Sequence, residues 1–255
     1  ARLAGTEKEV RQDLLGALMQ SGQWQKAMIA ADEAIVNFPD LRTGLIPQMQ
    51  EILTHLASGE DASQAGSRTG ALVDDVAIIE SHIHQIPDGP VKGGILVGLG
   101  RKLQSLGLSG KAAIAFERAL PLADSDTSRA LWGAELARAD IAAQRLGQAR
   151  RALDETRSPQ ADASLASNRR IIEAGLLIRE GSKDQALQLL AQDENDEALD
   201  MRGQILEDQH KWPDAGRIVG RLAPKTLPAT RPLGTAQQDL PLRPATDAAP
   251  AHSWA

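Results

Sequence analysis

The feature that most constrains the fold of this chain is a repeated pattern of small residues within helical periodicity. Its clearest copy lies mid-chain, where the pattern residues are Leu99, Gly100, Leu103, Gly107, Ala112, Phe116, Ala119 and Leu120. A second copy contains Gly22, Trp24, Ala27, Ala31, Ala34 and Pro39. Small residues at a turn and inside the following helix let two helices approach closely, so the pattern predicts helical hairpins.

Three weaker copies follow, and they begin near Leu146, Glu180 and Gly203. The alanines that mark the second helix of successive copies are Ala112, Ala152, Ala186 and Ala215, which are 40, 34 and 29 residues apart. A single hairpin cannot bury its apolar face alone, so we expect neighbouring hairpins to stack.

Helical periodicity dominates the rest of the chain, and sustained strand alternation is missing. The Asp-Gly pair at Asp88-Gly89 stands between Pro87 and Pro90 in a predicted turn and not between two strands. The fold class is therefore predicted to be all-α, with about a dozen short helices. Thr6 and Glu9 form a predicted capping box at the start of the first helix. The expected spans are roughly 6–20, 23–37, 44–58, 70–86, 91–106, 110–123, 126–145, 147–157, 161–179, 182–192, 195–209 and 213–222.

These repeats resemble the tetratricopeptide repeat family in a bacterial-type form, over roughly residues 6–222. The resemblance implies an α-solenoid of about five to six antiparallel helix pairs in a right-handed superhelix. The repeat domain would span 1–223, with 44–86 as a divergent repeat or an inserted hairpin. The alternative is an irregular helical array or bundle with an alanine-rich core.

The family binds extended peptides or helices on a concave face lined by the first helix of each repeat. Transferring those positions gives a predicted peptide-binding groove that contains Gln12, Met19, Arg101, Gln104, Arg145, Asn168, Arg179 and Gln204. The Lys and Asn clamp of the family's co-chaperone members is missing, because its positions hold Gln12 with Gly16 and Val97 with Arg101. Arginines in the groove are suited to carboxylates, although ordinary solvated arginines are an equally good interpretation.

Chemical motifs are scarce. With no cysteine in the chain, disulfides and thiolate metal sites are excluded. His82 and His84 would point about 200° apart on a helix, which favours surface histidines over a metal pair. The run from Gly93 to Lys102 lacks the ending of a phosphate loop, and the cluster Asp193–Glu197 lacks calcium-loop spacing. We therefore expect no enzyme activity, metal or cofactor.

Composition narrows the partners and leaves the compartment open. The formal net charge is -6, which disfavours nucleic-acid binding. No apolar run reaches the roughly 20 residues that a membrane span requires. Because the sequence starts at Ala1, we expect a processed chain or a fragment, in either periplasm or cytoplasm.

The C-terminal segment differs in composition from the repeats. Residues 224–255 contain six of the 13 prolines, so they are predicted to form an extended or disordered tail. The favoured function is a non-catalytic scaffold that binds a protein or peptide along its concave face. One alternative is a structural module that self-associates through solenoid ends or the tail, and another is an enzyme with a helical-array fold.

Overall fold

The computed structural model describes residues 2–59 and 68–226, with side chains described over 6–59 and 69–222. Within these ranges the chain forms twelve α-helices and no β-strand, which confirms the all-α prediction. The last helix extends to Thr226, four residues beyond its predicted end at 222. Residues 227–255, which make up most of the predicted tail, lie outside the described part of the chain.

The chain divides into two compact units, Ala1–Gln160 and Ala161–Ala255. The first unit contains α1 (Arg2–Gln20), α2 (Trp24–Asn37), α3 (Arg42–Ser58), α4 (Arg68–His82), α5 (Pro90–Ser105), α6 (Ser109–Ala119), α7 (Asp126–Ala142) and α8 (Leu146–Glu155). Here α1 packs against α2, α2 against α3, and α3 and α4 both against α5. The sequential contacts then continue from α5 to α6, α7 and α8.

The second unit contains α9 (Ala163–Arg179), α10 (Lys183–Leu189), α11 (Asp196–Asp208) and α12 (Trp212–Thr226). Its helices also pack in chain order, α9 against α10, α10 against α11 and α11 against α12. Its core contains buried aliphatic residues from three helices: Ile171, Ala174, Ala186, Leu190, Ala198 and Ile205.

The predicted capping box is wrong. Helix α1 begins at Arg2, so Thr6 and Glu9 both lie inside the helix and not at its start. Side-chain caps instead occur at three later helices, where Ser125, Asp162 and Asn195 accept hydrogen bonds from backbone N–H groups of the first turn. These caps satisfy donors that the helix itself leaves without partners.

Five helical hairpins in the described residues share one turn: α1–α2, α5–α6, α7–α8, α9–α10 and α11–α12. The turn residue has a positive φ in each case, at Gly22, Gly107, Gln144, Gly181 and His210. Its N–H bonds to the carbonyl three residues back, and the next N–H bonds to the carbonyl five residues back. These paired bonds define the Schellman motif, which ends one helix and aims the chain into the next.

The shared turn sets a common register. Five residues after each turn residue stands an alanine with 0% exposure: Ala27, Ala112, Ala149, Ala186 and Ala215. The third marker is therefore Ala149 and not Ala152, and the spacings after Ala112 are 37, 37 and 29 residues. The prediction failed here because the turn residue is Gln144, whereas the nearby Gly147 lies in the first turn of α8.

Close helix contacts explain several glycines of α5 and α7. A Cβ at Gly100 would come within 2.6 Å of the Phe116 ring, and one at Gly133 within 2.0 Å of Thr156 Oγ1. A Cβ at Gly98 would lie 2.6 Å from Ala57 Cβ and from the Ala57 carbonyl oxygen. Glycine is thus required where two helices of the first unit approach most closely.

Candidate protein-binding surface

The predicted groove residues of the first unit lie on two first helices and one turn. On α1, Gln12 is exposed and Met19 is half-buried, and their separation of seven positions places both on one side of the helix. On α5, Arg101 is exposed and Gln104 is half-buried one turn further along. In the common register Met19 and Gln104 are equivalent, since both stand three residues before their turn glycine.

Arg101 forms an ion pair between two neighbouring first helices. Its Nη2 atom lies 2.9 Å from Glu135 Oε1 on α7, and its Nε donates to the same oxygen at 3.0 Å. The side chain of Arg101 is 52% exposed, so the guanidinium remains open to solvent. A ligand carboxylate that reached this position would compete with Glu135 for the same donors.

Arg145 occupies a different place from the other predicted arginines. It follows the turn residue Gln144 and precedes α8, so it does not lie on a first helix. Its Nη2 atom is 2.6 Å from Asp140 Oδ1. The residue of α7 that corresponds to Arg101 is Arg138, which is also exposed. Sequence reasoning missed Arg138 because the third repeat was aligned three residues out of register.

Asp140 is an unusual residue for its position. The four equivalent positions, each four residues before the turn residue, hold Leu18, Leu103, Leu177 and Leu206. Asp140 is 1% exposed, and its carboxylate lies against the Arg145 guanidinium. Burial raises the pKa of Asp140 above its ordinary value, the charge of Arg145 acts to lower it, and the charge of Glu117 adds to the rise.

The second unit holds the other three predicted residues. Asn168 is half-buried near the start of α9, and it takes part in further contacts. Arg179 is exposed as the last residue of α9. Gln204 is exposed on α11, where its Nε2 donates to Asp200 Oδ2 at 2.6 Å. Whether these residues and those of the first unit share one groove stays a prediction.

Asp193 is the buried carboxylate of the second unit. It is 7% exposed and accepts hydrogen bonds from Ser167 and Arg170 of α9. Burial acts to raise the pKa of Asp193, yet these bonds and one from the Asn195 N–H outweigh it and hold the pKa below the ordinary value. Asp193 therefore joins α9 to the segment before α11.

A second group of polar contacts attaches α4 to its neighbours. Lys102 of α5, only 7% exposed, lies 2.9 Å from Asp75 Oδ2, and Gln25 of α2 donates to the other oxygen at 2.8 Å. His82 Nε2 lies 2.8 Å from Asp32 Oδ2 on α2. No local sequence pattern indicates these pairs, because their partners are 27 to 50 residues apart.

Ser81, His82 and Asp32 bring together the residue types of a hydrolase triad, but their geometry does not suit one. His82 Nδ1 lies 2.8 Å from both the Ile78 carbonyl oxygen and Ser81 Oγ, and Nε2 faces the carboxylate. Ser81 Oγ donates to the Ile78 carbonyl at 3.0 Å, so its proton is directed to that carbonyl and not to His82. His82 is 13% exposed in its side chain, so the expectation of a surface histidine is wrong for this residue.

The histidine of α3 contacts an aromatic ring. The ring of His55 stacks on Trp24 of α2, with centroids 3.9 Å apart and planes inclined by 5°. The described residues contain no group of three or more His, Asp or Glu side chains that could hold a metal ion. No helix in the described ranges is long and apolar enough to cross a bilayer.

Comparison with known proteins adds no relative. No family model matches the chain, and no curated protein matches it. The resemblance to tetratricopeptide repeats therefore rests on the repeated residues and remains a prediction.

Proposed function

We propose that the protein is a non-catalytic scaffold that binds a protein or peptide along the first helices of its hairpins. The observation that carries the proposal is the common register of the five hairpins. It repeats one turn and one buried alanine, while positions on the first helices, such as Gln12, Arg101 and Gln204, are exposed. Exposed residues on a repeated framework can vary with little cost to packing, which suits a recognition surface.

We further propose that the hairpins stack as an α-solenoid of the tetratricopeptide type. The sequential packing inside each unit supports this arrangement. The second helix of one hairpin also packs against the first helix of the next, as α6 packs against α7, which supports the same arrangement. The concave face of such a solenoid would carry the first helices.

The chemistry of the surface favours a polar ligand with carboxylate groups. Arg101 and Arg138 occupy equivalent positions on α5 and α7, 37 residues apart. Leu131 of α7, 37% exposed, stands seven residues before Arg138 on the same side of the helix and adds an apolar contact. The chain has only six aromatic residues, so few rings are present to act as binding hot spots.

The test uses peptides selected from a random phage-displayed library on the immobilised full chain. We expect the selected peptides to bind with an acidic preference and to lose roughly tenfold or more in affinity when Arg101 and Gln104 are both replaced by alanine. Arg118→Ala is the matched control, because Arg118 is an exposed arginine on the second helix α6. Failure to select peptides, or equal affinity of both variants, would count against the groove.

A further inference from the structure

The ion pair between Arg101 and Glu135 uses only some of the polar atoms of the two side chains. Arg101 Nε donates to Glu135 Oε1 at 3.0 Å, and Arg101 Nη2 lies 2.9 Å from the same oxygen. A guanidinium has further N–H donors on Nη1, and a carboxylate has a second oxygen. Among the described residues, none forms a hydrogen bond with Arg101 Nη1 or with Glu135 Oε2, so each charge keeps one polar atom for a ligand.

This ion pair lies on the predicted binding surface and reaches solvent from both helices. The side chain of Arg101 on α5 is 52% exposed, and that of Glu135 on α7 is 18% exposed. Leu131 and Arg138 stand four residues before and three residues after Glu135, so they share its side of α7, and both are exposed. A ligand that contacts Arg101 therefore also comes close to Glu135.

Glu135 gives this surface its negative charge. Helix α5 contains no Asp or Glu, and the other acidic residues of α7 are Asp126 in its first turn and the buried Asp140. A ligand carboxylate at Arg101 thus meets a like charge at short range, which lowers affinity unless the ligand also carries a cation. Discrimination between ligands commonly uses such a repulsive element together with an attractive one.

We propose that the Arg101–Glu135 pair recognises a peptide with an acidic and a basic side chain on the same face, and that Glu135 selects against purely acidic peptides. The ligand carboxylate binds Arg101 Nη1 and the ligand cation binds Glu135 Oε2, so the pair itself stays intact. Side chains two residues apart in an extended peptide, or four apart in a helix, share a face in this way. This proposal rests on the proposed function and specifies the ligand of its groove.

The first test repeats the phage selection in parallel on the full original chain and on Glu135→Gln. Peptides selected on the original chain should combine acidic with basic residues, whereas those selected on Glu135→Gln should be acidic without that combination. Glu33→Gln is the matched control, because Glu33 on the second helix α2 also pairs with an arginine of another helix, Arg11 of α1, at 3.5 Å. The control should select the same kind of peptide as the original chain.

A peptide from the original selection then serves as the probe in a double-mutant cycle. Replacing its basic residue by glutamine should weaken binding to the original chain by roughly threefold to fivefold, the range of an exposed ion pair. The same replacement should leave the affinity for Glu135→Gln unchanged, because the partner of that residue has already been removed.

An exchange of the two charges separates recognition from any structural role of the pair. The double substitution Arg101→Glu with Glu135→Arg keeps an ion pair between α5 and α7 and reverses its direction. Its midpoint of urea unfolding should stay close to that of the original chain. The peptide selected on the original chain should bind roughly tenfold or more weakly, because both of its charges then meet like charges.

Equal frequencies of basic residues in the peptides selected on the original chain and on Glu135→Gln would overturn this proposal and leave the proposed function intact. So would unchanged affinity of the original peptide for the charge-exchanged chain. If no chain selects any peptide, the groove itself is contradicted, and the proposal about its ligand fails with it.

Discussion

At the scale of single residues, Asp140 shows how one side chain departs from the rule that its equivalents follow. Four of the five hairpins place leucine at this position, and the fifth places a buried carboxylate beside Arg145. Removing a carboxylate from water costs several kcal/mol, on the order of what one close ion pair returns. The α7–α8 hairpin therefore contains a polar pair where its neighbours have apolar packing.

The substitution Asp140→Leu should stabilise the protein. Replacement of a buried ion pair by apolar packing contributes about 1 to 4 kcal/mol where the site accommodates the new side chain. Nε and Nη2 of Arg145 are buried beside Asp140, but its side chain is 30% exposed, so rotation can bring the guanidinium into solvent once its partner is gone. Urea unfolding monitored by circular dichroism measures the change, and Arg145→Ala should have the opposite sign because it leaves the carboxylate alone.

The gain from Asp140→Leu should depend on pH. The pKa of Asp140 is raised in the folded state, so the stability that its protonated form provides is complete below the ordinary carboxyl pKa. That stability is lost as the pH rises through the folded pKa. The difference between Asp140→Leu and the original chain should therefore be largest near neutral pH and should shrink in acid, and a gain independent of pH would contradict this origin.

At the scale of helices, α5 contains two glycines in different surroundings. Their replacement by alanine should change the stability of the protein in opposite directions. Gly98 lies against the backbone of Ala57 on α3, whereas Gly94 has no neighbour within 4 Å of an added Cβ. Gly94→Ala should stabilise by about 0.5 to 1 kcal/mol through the lower flexibility of the unfolded chain. Gly98→Ala should destabilise by about 1 to 3 kcal/mol through overpacking, as measured by thermal and urea unfolding.

The turns give a second prediction at this scale. Gln144 has a φ of 61°, a conformation that glycine adopts without strain, so Gln144→Gly should stabilise the α7–α8 hairpin by about 1 kcal/mol. Gln148→Gly is the control, because Gln148 lies within α8 and glycine there should cost about 1 kcal/mol. If both substitutions shift the urea midpoint equally, the positive φ at Gln144 does not cost stability in the way expected.

The helices and their order could be predicted from the sequence because local periodicity and glycine turns carry that information. Two turns lack glycine, at Gln144 and His210, and the predicted register failed at Gln144, where the nearby Gly147 misled the alignment. The pairs Lys102–Asp75 and His82–Asp32 depend on contacts between helices distant in sequence, which no local pattern encodes. The same limit applies to Glu135, which shares the predicted site with Arg101.

At the scale of the whole molecule, equivalent turns should be interchangeable. Joining Gly107 directly to Arg145 removes residues 108–144 and pairs α5 with α8 across an unchanged turn. By equivalence of position, Leu96 faces Ala119 in the original α5–α6 hairpin, and Gly133 faces Thr156 in the original α7–α8 hairpin. The larger residue is therefore on the first helix of one hairpin and on the second helix of the other. In the new hairpin the two larger residues, Leu96 and Thr156, would face each other.

We expect the shortened chain to fold when Thr156→Ala is included, with helical circular dichroism per residue close to that of the original chain and one cooperative thermal transition. Without Thr156→Ala the same deletion should be less stable by about 1 to 3 kcal/mol, because Leu96 and Thr156 overfill the contact. A deletion variant that loses helicity in both forms would show that the turns are not interchangeable.

The constant turn geometry also bears on how such a chain can change length over generations. Unequal recombination between DNA segments that encode two equivalent turns inserts or removes a whole number of helix pairs, so the products keep the phase between buried and exposed residues. Whole hairpins are then the units that are duplicated or lost. The successive turn residues Gly107, Gln144 and Gly181 are each 37 residues apart, which is the spacing that such duplication would produce. The 29-residue interval that precedes His210 is consistent with later trimming of a single copy.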